Sequence, residues 1–597
     1  MPASRATTSL APAHPAKPAA SKDWLRALEL SARMDADPSR TLPLAIDELA
    51  ERQGDAPALL SDRESLSFRA LAERSRRYAR WALDQGLGKG EIAALLMPNR
   101  PEYLAIWLGL SRVGAIVALL NPQLRGASLA HCIAAAAPRC IIVDAGLAEA
   151  LAETSPGPAV WTHGAADAPW PRIDLAVETY TPEALGLDDA PAVALSDRAL
   201  LIYTSGTTGL PKAANVSHRR VMNWSAWFAG LLDIQPSDRL YDCLPLCHSA
   251  GGVAAVGAAL LAGASTVVAE KFSASRFWAD IRRWDCTLFQ YIGELCRYLL
   301  AAPSSPDERS HALRLCCGNG LSGEVWEAFQ DRFAVPRIVE FYAATEGNFS
   351  LYNVEGKPGA VGRVPSFLSH RFPAAIVKFD VDLGEPARGD DGLCIPCAPD
   401  EVGEAIGRVS EGARFEGYTD AAASRKKLLR GVFAPSDAWV RTGDLMRKDA
   451  QGFFYFVDRI GDTFRWKGEN VSAAEVAVAI RATPGVADAA VYGVAVAGAS
   501  GKAGMAAVVA GEGFDLGALR KSLAERLPHY ARPLFVRMVE ALDVTGAFKL
   551  STPRLAAEGW DPSRVSDRLF FDDRAAGAYA PLDADARAEI EAGRVRI

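Results

Sequence analysis

Short apolar runs recur along the chain at Ile92–Met97, Ala115–Leu120, Cys140–Val143, Leu200–Tyr203 and Ser265–Ala269. Between several of them lie stretches with helical periodicity, such as Phe68–Leu83 and Ser217–Leu232. Runs of this length read as buried strands, and their alternation with amphipathic helices predicts an α/β architecture. The apolar tracts Ala105–Leu120 and Gly252–Ala269 are the longest. The first is broken by Arg112 and the second diluted by Gly, Ala and Ser, so each reads as a buried helix followed by a strand, not as a membrane span.

Two tracts lack clear periodicity, Ser155–Asp197 and Glu385–Gly403, and are expected to be irregular connectors. Residues 1–22 are rich in Ala, Pro, Ser and Thr without an apolar core, which predicts a disordered tail and no signal peptide. A junction is expected near Phe453–Asn470, where a strand-like run gives way to the polar Asp458–Asp462. The division expected is a large N-terminal unit over residues 23–460 and a smaller C-terminal α/β unit over 461–597. The smaller unit is built from Ser472–Ile480 and Leu516–Leu527 as helices and Ala489–Val496 and Gly504–Val509 as strands.

At 597 residues the chain is too long for one core. The formal net charge of −7 offers no general attraction to nucleic acid, so a nucleic-acid partner is not expected. The ten cysteines are scattered. Cys394 and Cys397 form a C-x-x-C without a second pair or His cluster, so reduced, buried thiols of a cytoplasmic chain are expected, not a zinc site.

The chemistry starts at Thr204-Ser-Gly-Thr-Thr-Gly-Leu-Pro-Lys212, which follows a strand pattern. Thr204, Ser205, Thr207 and Thr208 offer hydroxyls, Lys212 a cation, and Gly206 and Gly209 let backbone N–H groups approach phosphate. The glycines are only three apart, so this is not a Walker A loop. In Phe341-Tyr-Ala-Ala-Thr-Glu-Gly347, Glu346 is a candidate ligand for Mg²⁺ against phosphate oxygens. Cys317-Gly-Asn-Gly-Leu321 is a small-residue turn; on composition alone it is a plain tight turn or a place for a flat base.

The string Tyr203–Lys212 resembles the signature loop of the adenylate-forming superfamily: acyl- and aryl-CoA synthetases, peptide synthetase adenylation domains and firefly luciferase. The resemblance implies a large N-terminal region of α/β subdomains with a small, mobile C-terminal lid. It implies ATP, Mg²⁺ and CoA, and a two-step reaction in which a carboxylate forms an acyl-adenylate that a thiol then attacks. It implies that Gly318, Asn319 and Gly320 carry the adenine, Tyr342 stacks on it, Thr345 bonds phosphate and Glu346 binds magnesium. Trp439-Val-Arg-Thr-Gly-Asp444 would bring Asp444 to the ribose, and Asp458-Arg459 would bring Arg459 to ribose or phosphates. Pro245-Leu-Cys-His248 matches a motif near the acid pocket, with Cys247 in place of the usual aromatic, and His248 would line that pocket. Gly461 stands at the lid hinge, where relatives carry Asp or Lys. Lys467, Gly468 and Glu469 would flank the CoA thiol, and Lys549 would contact the carboxylate and α-phosphate during adenylation.

Further strings narrow the branch: Val354–Gly362, Arg408–Leu429 with Phe415-Glu-Gly-Tyr-Thr-Asp420, Asp458–Ser472, and an extension of 48 residues past Lys549. These resemble the fatty acid transport protein / very-long-chain acyl-CoA synthetase family. The activity implied is an acid–thiol ligase that makes long- or very-long-chain fatty acyl-CoA with release of AMP and diphosphate. Alternatives are a ligase for another bulky acid, such as a bile or steroid-type acid, and an uptake protein coupled to activation. The expected location is cytoplasmic, with peripheral contact at the inner face of the membrane as a further reading. Arg425-Lys-Lys427 with Arg430 is the candidate contact for anionic lipid, although a solvated helix face is the ordinary reading of such a cluster. Neither oligomeric state nor acyl chain length is legible.

Overall fold

The computed structural model describes residues 20–597 except 166, 168, 187–188, 205–210, 382, 411–413, 467–468, 498–500, 544–549 and 596–597. Two large sheets form the N-terminal part. The first has six strands in the order Ala159–His163, Cys140–Asp144, Ile92–Leu96, Ile116–Leu120, Arg198–Thr204 and Lys212–Ser217. Its first five strands are parallel; the last returns antiparallel, pairing Lys212 with Thr204. The parallel strands are apolar because both faces are covered. All five residues of Ile116–Leu120 are buried, and each of the larger side chains, Ile116, Val117, Leu119 and Leu120, contributes about 1.5–3 kcal/mol.

The second sheet has fourteen strands. Its parallel half runs Pro57–Leu60, Ser265–Val268, Arg239–Asp242, Leu288–Ile292, Leu315–Asn319 and Ile338–Ala343. Its antiparallel half continues through Ser350–Asn353, Gly362–Arg363, Phe453–Arg459, Ala438–Lys448, Gly403–Arg408 and Ala374–Val377. The helix His218–Leu231 lies on this sheet through Trp227 and Phe228, and the first described helix, Ala20–Asp35, packs across it. Trp24 joins Trp227 and Tyr352 at ring-centroid distances of 5.8 and 5.7 Å. Asp23, fully buried, is paired with Arg26 and Arg337. This helix begins inside the segment 1–22 whose composition predicts disorder, because Trp24 and Ala27 supply a buried face that composition does not reveal.

The tract 155–197 is more ordered than its Ala/Pro content predicts. Ala159–His163 adds an edge strand to the first sheet, and Ile173, Val177 and Leu195 are buried beneath it. In 385–403, Glu385–Pro386 pairs with Phe379–Asp380, and an isolated bridge joins Arg388 to Cys394. All ten cysteines are free, nine of them buried and Cys397 half-buried. Among the described residues no group of three His, Cys, Asp or Glu could hold a metal, and no helix is long and apolar enough to cross a membrane. The two long apolar tracts resolve into helix plus strand, as Pro101–Arg112 with Ile116–Leu120 and as Ser249–Leu261 with Ser265–Val268.

The C-terminal residues form a five-stranded sheet in the order Val486–Ala495, Lys502–Ala510, Phe535–Val539, Arg568–Asp573 and Ala578–Pro581, with the helices Ala473–Arg481 and Leu516–Arg526 in the same core. The last two strands come from the extension beyond Lys549. Arg568–Asp573 pairs onto Phe535–Val539 and Ala578–Pro581 onto Arg568–Asp573, burying Phe571 and Tyr579, so the extension completes this core.

Candidate active site

The ends of the parallel strands and the loops that follow them carry Thr204, His248, Gly318–Gly320 and Tyr342–Glu346, the usual place for ligands in open α/β sheets, while Asp444 and Arg459 come from the antiparallel half. Thr204 ends its strand, and its side chain lies close to the Tyr418 hydroxyl. Lys212 opens the return strand, with its ammonium 5.8 Å from the centroid of the Tyr418 ring. Ser205, Gly206, Thr207, Thr208 and Gly209 lie outside the described residues.

Gly318 and Asn319 end the strand Leu315–Asn319, and Gly320 follows with a φ of +82°. A β-carbon on Gly318 would stand 2.2 Å from the Tyr291 carbonyl oxygen, so only glycine fits. The turn is braced from below by Glu340, which accepts from the Leu321 backbone N–H at 3.0 Å and from the Tyr291 hydroxyl at 2.5 Å. Burial pushes the Glu340 carboxyl up to about 8, so near neutrality it is largely protonated and needs no counter-charge.

Tyr342 lies near the end of Ile338–Ala343 and donates its hydroxyl to Asp444. Asp444 stands opposite Arg459 in the strand pair Ala438–Lys448/Phe453–Arg459, with Arg459 Nε 3.9 Å from its carboxylate. Thr345 and Glu346 follow in the next loop. The Thr345 hydroxyl is 3.0 Å from that of Ser249, the residue after His248 and the first of a π-helical turn. Half-buried His248 therefore sits one residue from the phosphate-side loop.

Glu346 is buried, which raises its pKa, but the Lys427 ammonium at 3.3 Å and the nearby Tyr418 hydroxyl more than offset this and hold it below the ordinary value. Its direction is fixed by Arg220, a buried residue in the first turn of His218–Leu231. The guanidinium donates to the carbonyl oxygens of Thr345 at 2.8 Å and Gly347 at 2.9 Å, on either side of Glu346. Glu416 accepts from the Ser217 N–H and hydroxyl, both at 2.7 Å, placing a carboxylate at the positive end of the same helix.

Thr204, Lys212 and Glu346 thus meet around Tyr418, and Tyr342, Asp444 and Arg459 form an adjoining chain. Gly461 lies in an exposed turn just after Arg459, and Glu469 is exposed in the hairpin Phe464–Trp466/Glu469–Val471. Lys467, Gly468 and Lys549 lie outside the described residues. Tyr418, Lys427, Arg220, Glu416 and Ser249 are new to the site. Tyr418 and Glu416 fall in Phe415–Asp420, a string whose resemblance marks the branch without indicating a role.

The basic cluster needs correcting at one position. Arg425, Lys426 and Arg430 are exposed as a solvated face requires, but Lys427 turns inward to Glu346. It lies four residues after buried Ala423 on the helix Ala421–Lys427 and shares its face.

Two family models match the chain: AMP-binding enzyme over residues 46–377 and AMP-binding enzyme C-terminal domain over 475–549. Fold and site together therefore define an AMP-binding enzyme. Within that class the chain belongs to the fatty acid transport protein / very-long-chain acyl-CoA synthetase family. It is 41% identical over 571 residues to long-chain fatty acid transport protein 1 of Mus musculus, covering 93% of this chain and 88% of that protein. It is 40% identical over 522 residues to long-chain fatty acid transport protein 3 of Homo sapiens, covering 86% and 76%. The fold is shared with the anthranilate CoA ligase AuaEII in complex with anthranoyl-AMP, at a TM-score of 0.74 and 21% identity over 88% of this chain and 98% of that one. It is also shared with a fatty acyl CoA synthetase of Mycobacterium tuberculosis, at a TM-score of 0.61 and 21% identity over 87% and 98%.

Proposed function

We propose that this enzyme joins a long- or very-long-chain fatty acid to CoA at the expense of ATP, through an acyl-adenylate. The observation that carries this reading is the convergence of Thr204, Lys212, Thr345 and Glu346 beside the Tyr342–Asp444–Arg459 chain. The first group suits a polyphosphate and the second a nucleoside. The adenine would lie on Gly318–Gly320 with Tyr342 against its face, and Asp444 would accept from the ribose hydroxyls.

Magnesium fits the donor set, because Glu346 with the Thr345 and Ser249 hydroxyls offers only hard oxygen. Glu346 would hold it, and when bound it would neutralise charge on the phosphates. Lys212 and the loop 205–210 would grip the pyrophosphate end, leaving the α-phosphate open to the acid carboxylate. Lys549, carried by the C-terminal unit, would stabilise the charge developing there. For the second step the C-terminal unit would turn at Gly461, a residue that absorbs large backbone changes, and present Lys467–Glu469 to the CoA thiol. Peripheral membrane contact at the cytoplasmic face, through Arg425, Lys426 and Arg430, would place the enzyme where its acid is most concentrated.

The test is acyl-CoA formation from ATP and CoA with a panel of medium-, long- and very-long-chain acids, a bile acid included. A preference for the longer fatty acids supports the reading. A preference for the bile acid would move the substrate while keeping the chemistry.

A further inference from the structure

Lys427 lies on no motif that resembles a nucleotide contact, yet it occupies the gap between the two halves of the site. Its ammonium is 3.3 Å from Glu346 Oε1 and donates to the Thr442 carbonyl oxygen at 3.0 Å. The next residue, Gly443, has a φ of +80°, and a β-carbon built there would be 3.8 Å from the same ammonium. Thr442 and Gly443 lead directly into Asp444, the ribose candidate, while Glu346 is the candidate at the phosphate end. The lysine is thus tied to both. It is held there by the Asp420-capped helix, in which Asp420 accepts from the N–H groups of Ala422 at 2.7 Å and Ala423 at 3.2 Å, with Ala423 packed inward one turn before Lys427.

We propose that Lys427 is a nucleotide-binding cation, placed beside Glu346 to bond the phosphate oxygens of ATP. The inference rests on the adenylating reading of the site. An ammonium has three donors on a flexible stem. Thr442 takes one, and the pair with Glu346 is a single contact that a phosphate oxygen can replace. Binding of the polyphosphate brings several negative charges to a place where Glu346 is then engaged elsewhere, so the lysine follows the larger charge. Its grip on Thr442 keeps the ammonium beside the turn into Asp444 throughout, aimed at the phosphates nearest the ribose.

The experiment measures binding to the full chain by calorimetry, without acid or CoA, using α,β-methylene-ATP with Mg²⁺ and, separately, adenosine. Lys427→Met should bind the ATP analogue about 10–100-fold more weakly, the worth of one charge-assisted contact, and adenosine with unchanged affinity. Lys427→Arg, which keeps the charge, should recover most of the loss. Equal loss for adenosine and the analogue, or no loss for either, would overturn the proposal, the first outcome marking Lys427 as a structural clamp of the Thr442–Asp444 turn. If Lys427→Met does not fold, judged by its far-ultraviolet circular dichroism, Lys427→Gln, which can still donate to Thr442, takes its place under the same criteria. Failure of the unmodified protein to bind the analogue would overturn the adenylating reading itself, and this inference with it.

Discussion

The hydroxyl of Tyr342 is bonded to the carboxylate of Asp444, 102 residues further along the chain. The bond ties the last strand of the parallel half of the large sheet to its antiparallel half. It also orients a ring and a carboxylate that would meet adenine and ribose. Tyr342→Phe keeps the ring and removes the bond to a charged acceptor. ATP KM should rise about tenfold and the KM for the acid should stay the same. Steady-state kinetics with each substrate varied in turn distinguishes this from a general loss of activity.

Glu346 is the carboxylate that the phosphate end of the site is built to present. Glu346→Gln keeps its size and removes its charge. At saturating ATP the rate should fall about 10²-fold or more, and the half-saturating Mg²⁺ concentration should rise. A titration of Mg²⁺ at fixed ATP reads the second effect, and an unchanged midpoint would remove Glu346 from the metal site.

Arg220 holds that carboxylate in place from a distance. Arg220→Met leaves the Thr345 and Gly347 carbonyl oxygens and the Glu416 carboxylate without their buried partner, and should destabilise the fold by about 3–5 kcal/mol. Arg220→Lys should recover only part of this, because an ammonium lacks the two-pronged geometry. Urea unfolding monitored by tryptophan fluorescence measures both.

Much of this arrangement is legible along the chain, and the rest is hidden for physical reasons. The buried strands are short apolar runs, Thr204 ends one of them and Glu346 lies in the loop after another, so their polar motifs stand out directly after an apolar run. Tyr418 and Lys427 carry no such signal. Tyr418 meets Thr204 and Glu346 only after the sheets fold, because both lie more than seventy residues earlier in the chain. Lys427 belongs to a run of basic residues that reads as solvated, and only the burial of Ala423 one turn earlier separates it from Arg425 and Lys426. The first helix is hidden for a similar reason. Its short buried face follows a long Ala/Pro stretch, and Trp24 gains its value from Trp227 and Tyr352, both distant in sequence.

His218 gives the fold a pH dependence. Burial pushes its imidazole down to about 4, from an ordinary value of 6.5, Asp197 nearby acting against the fall and Lys89 with it. The unfolded chain therefore takes up a proton near pH 6.5 that the folded chain refuses until about pH 4. Stability due to this group is fully present above pH 6.5 and falls by about 3 kcal/mol as the pH drops through that window. Burial pushes the carboxyls of Asp242 and Glu340 up, to about 7 and about 8, and both oppose this trend between pH 4 and 7. The difference between unmodified protein and His218→Gln cancels them. In urea denaturation at pH 7.0 and 5.0, the unmodified protein should lose stability relative to the variant at the lower pH. Parallel changes in the two proteins would contradict the assignment.

The most direct test of the account is diphosphate release from ATP, measured with a long-chain fatty acid present or absent and with CoA present or withheld. The account predicts no release without acid, a burst of about one equivalent per enzyme molecule with acid alone, and continuous turnover to acyl-CoA and AMP once CoA is added. Release that ignores the acid, or no release under any of these conditions, would contradict it.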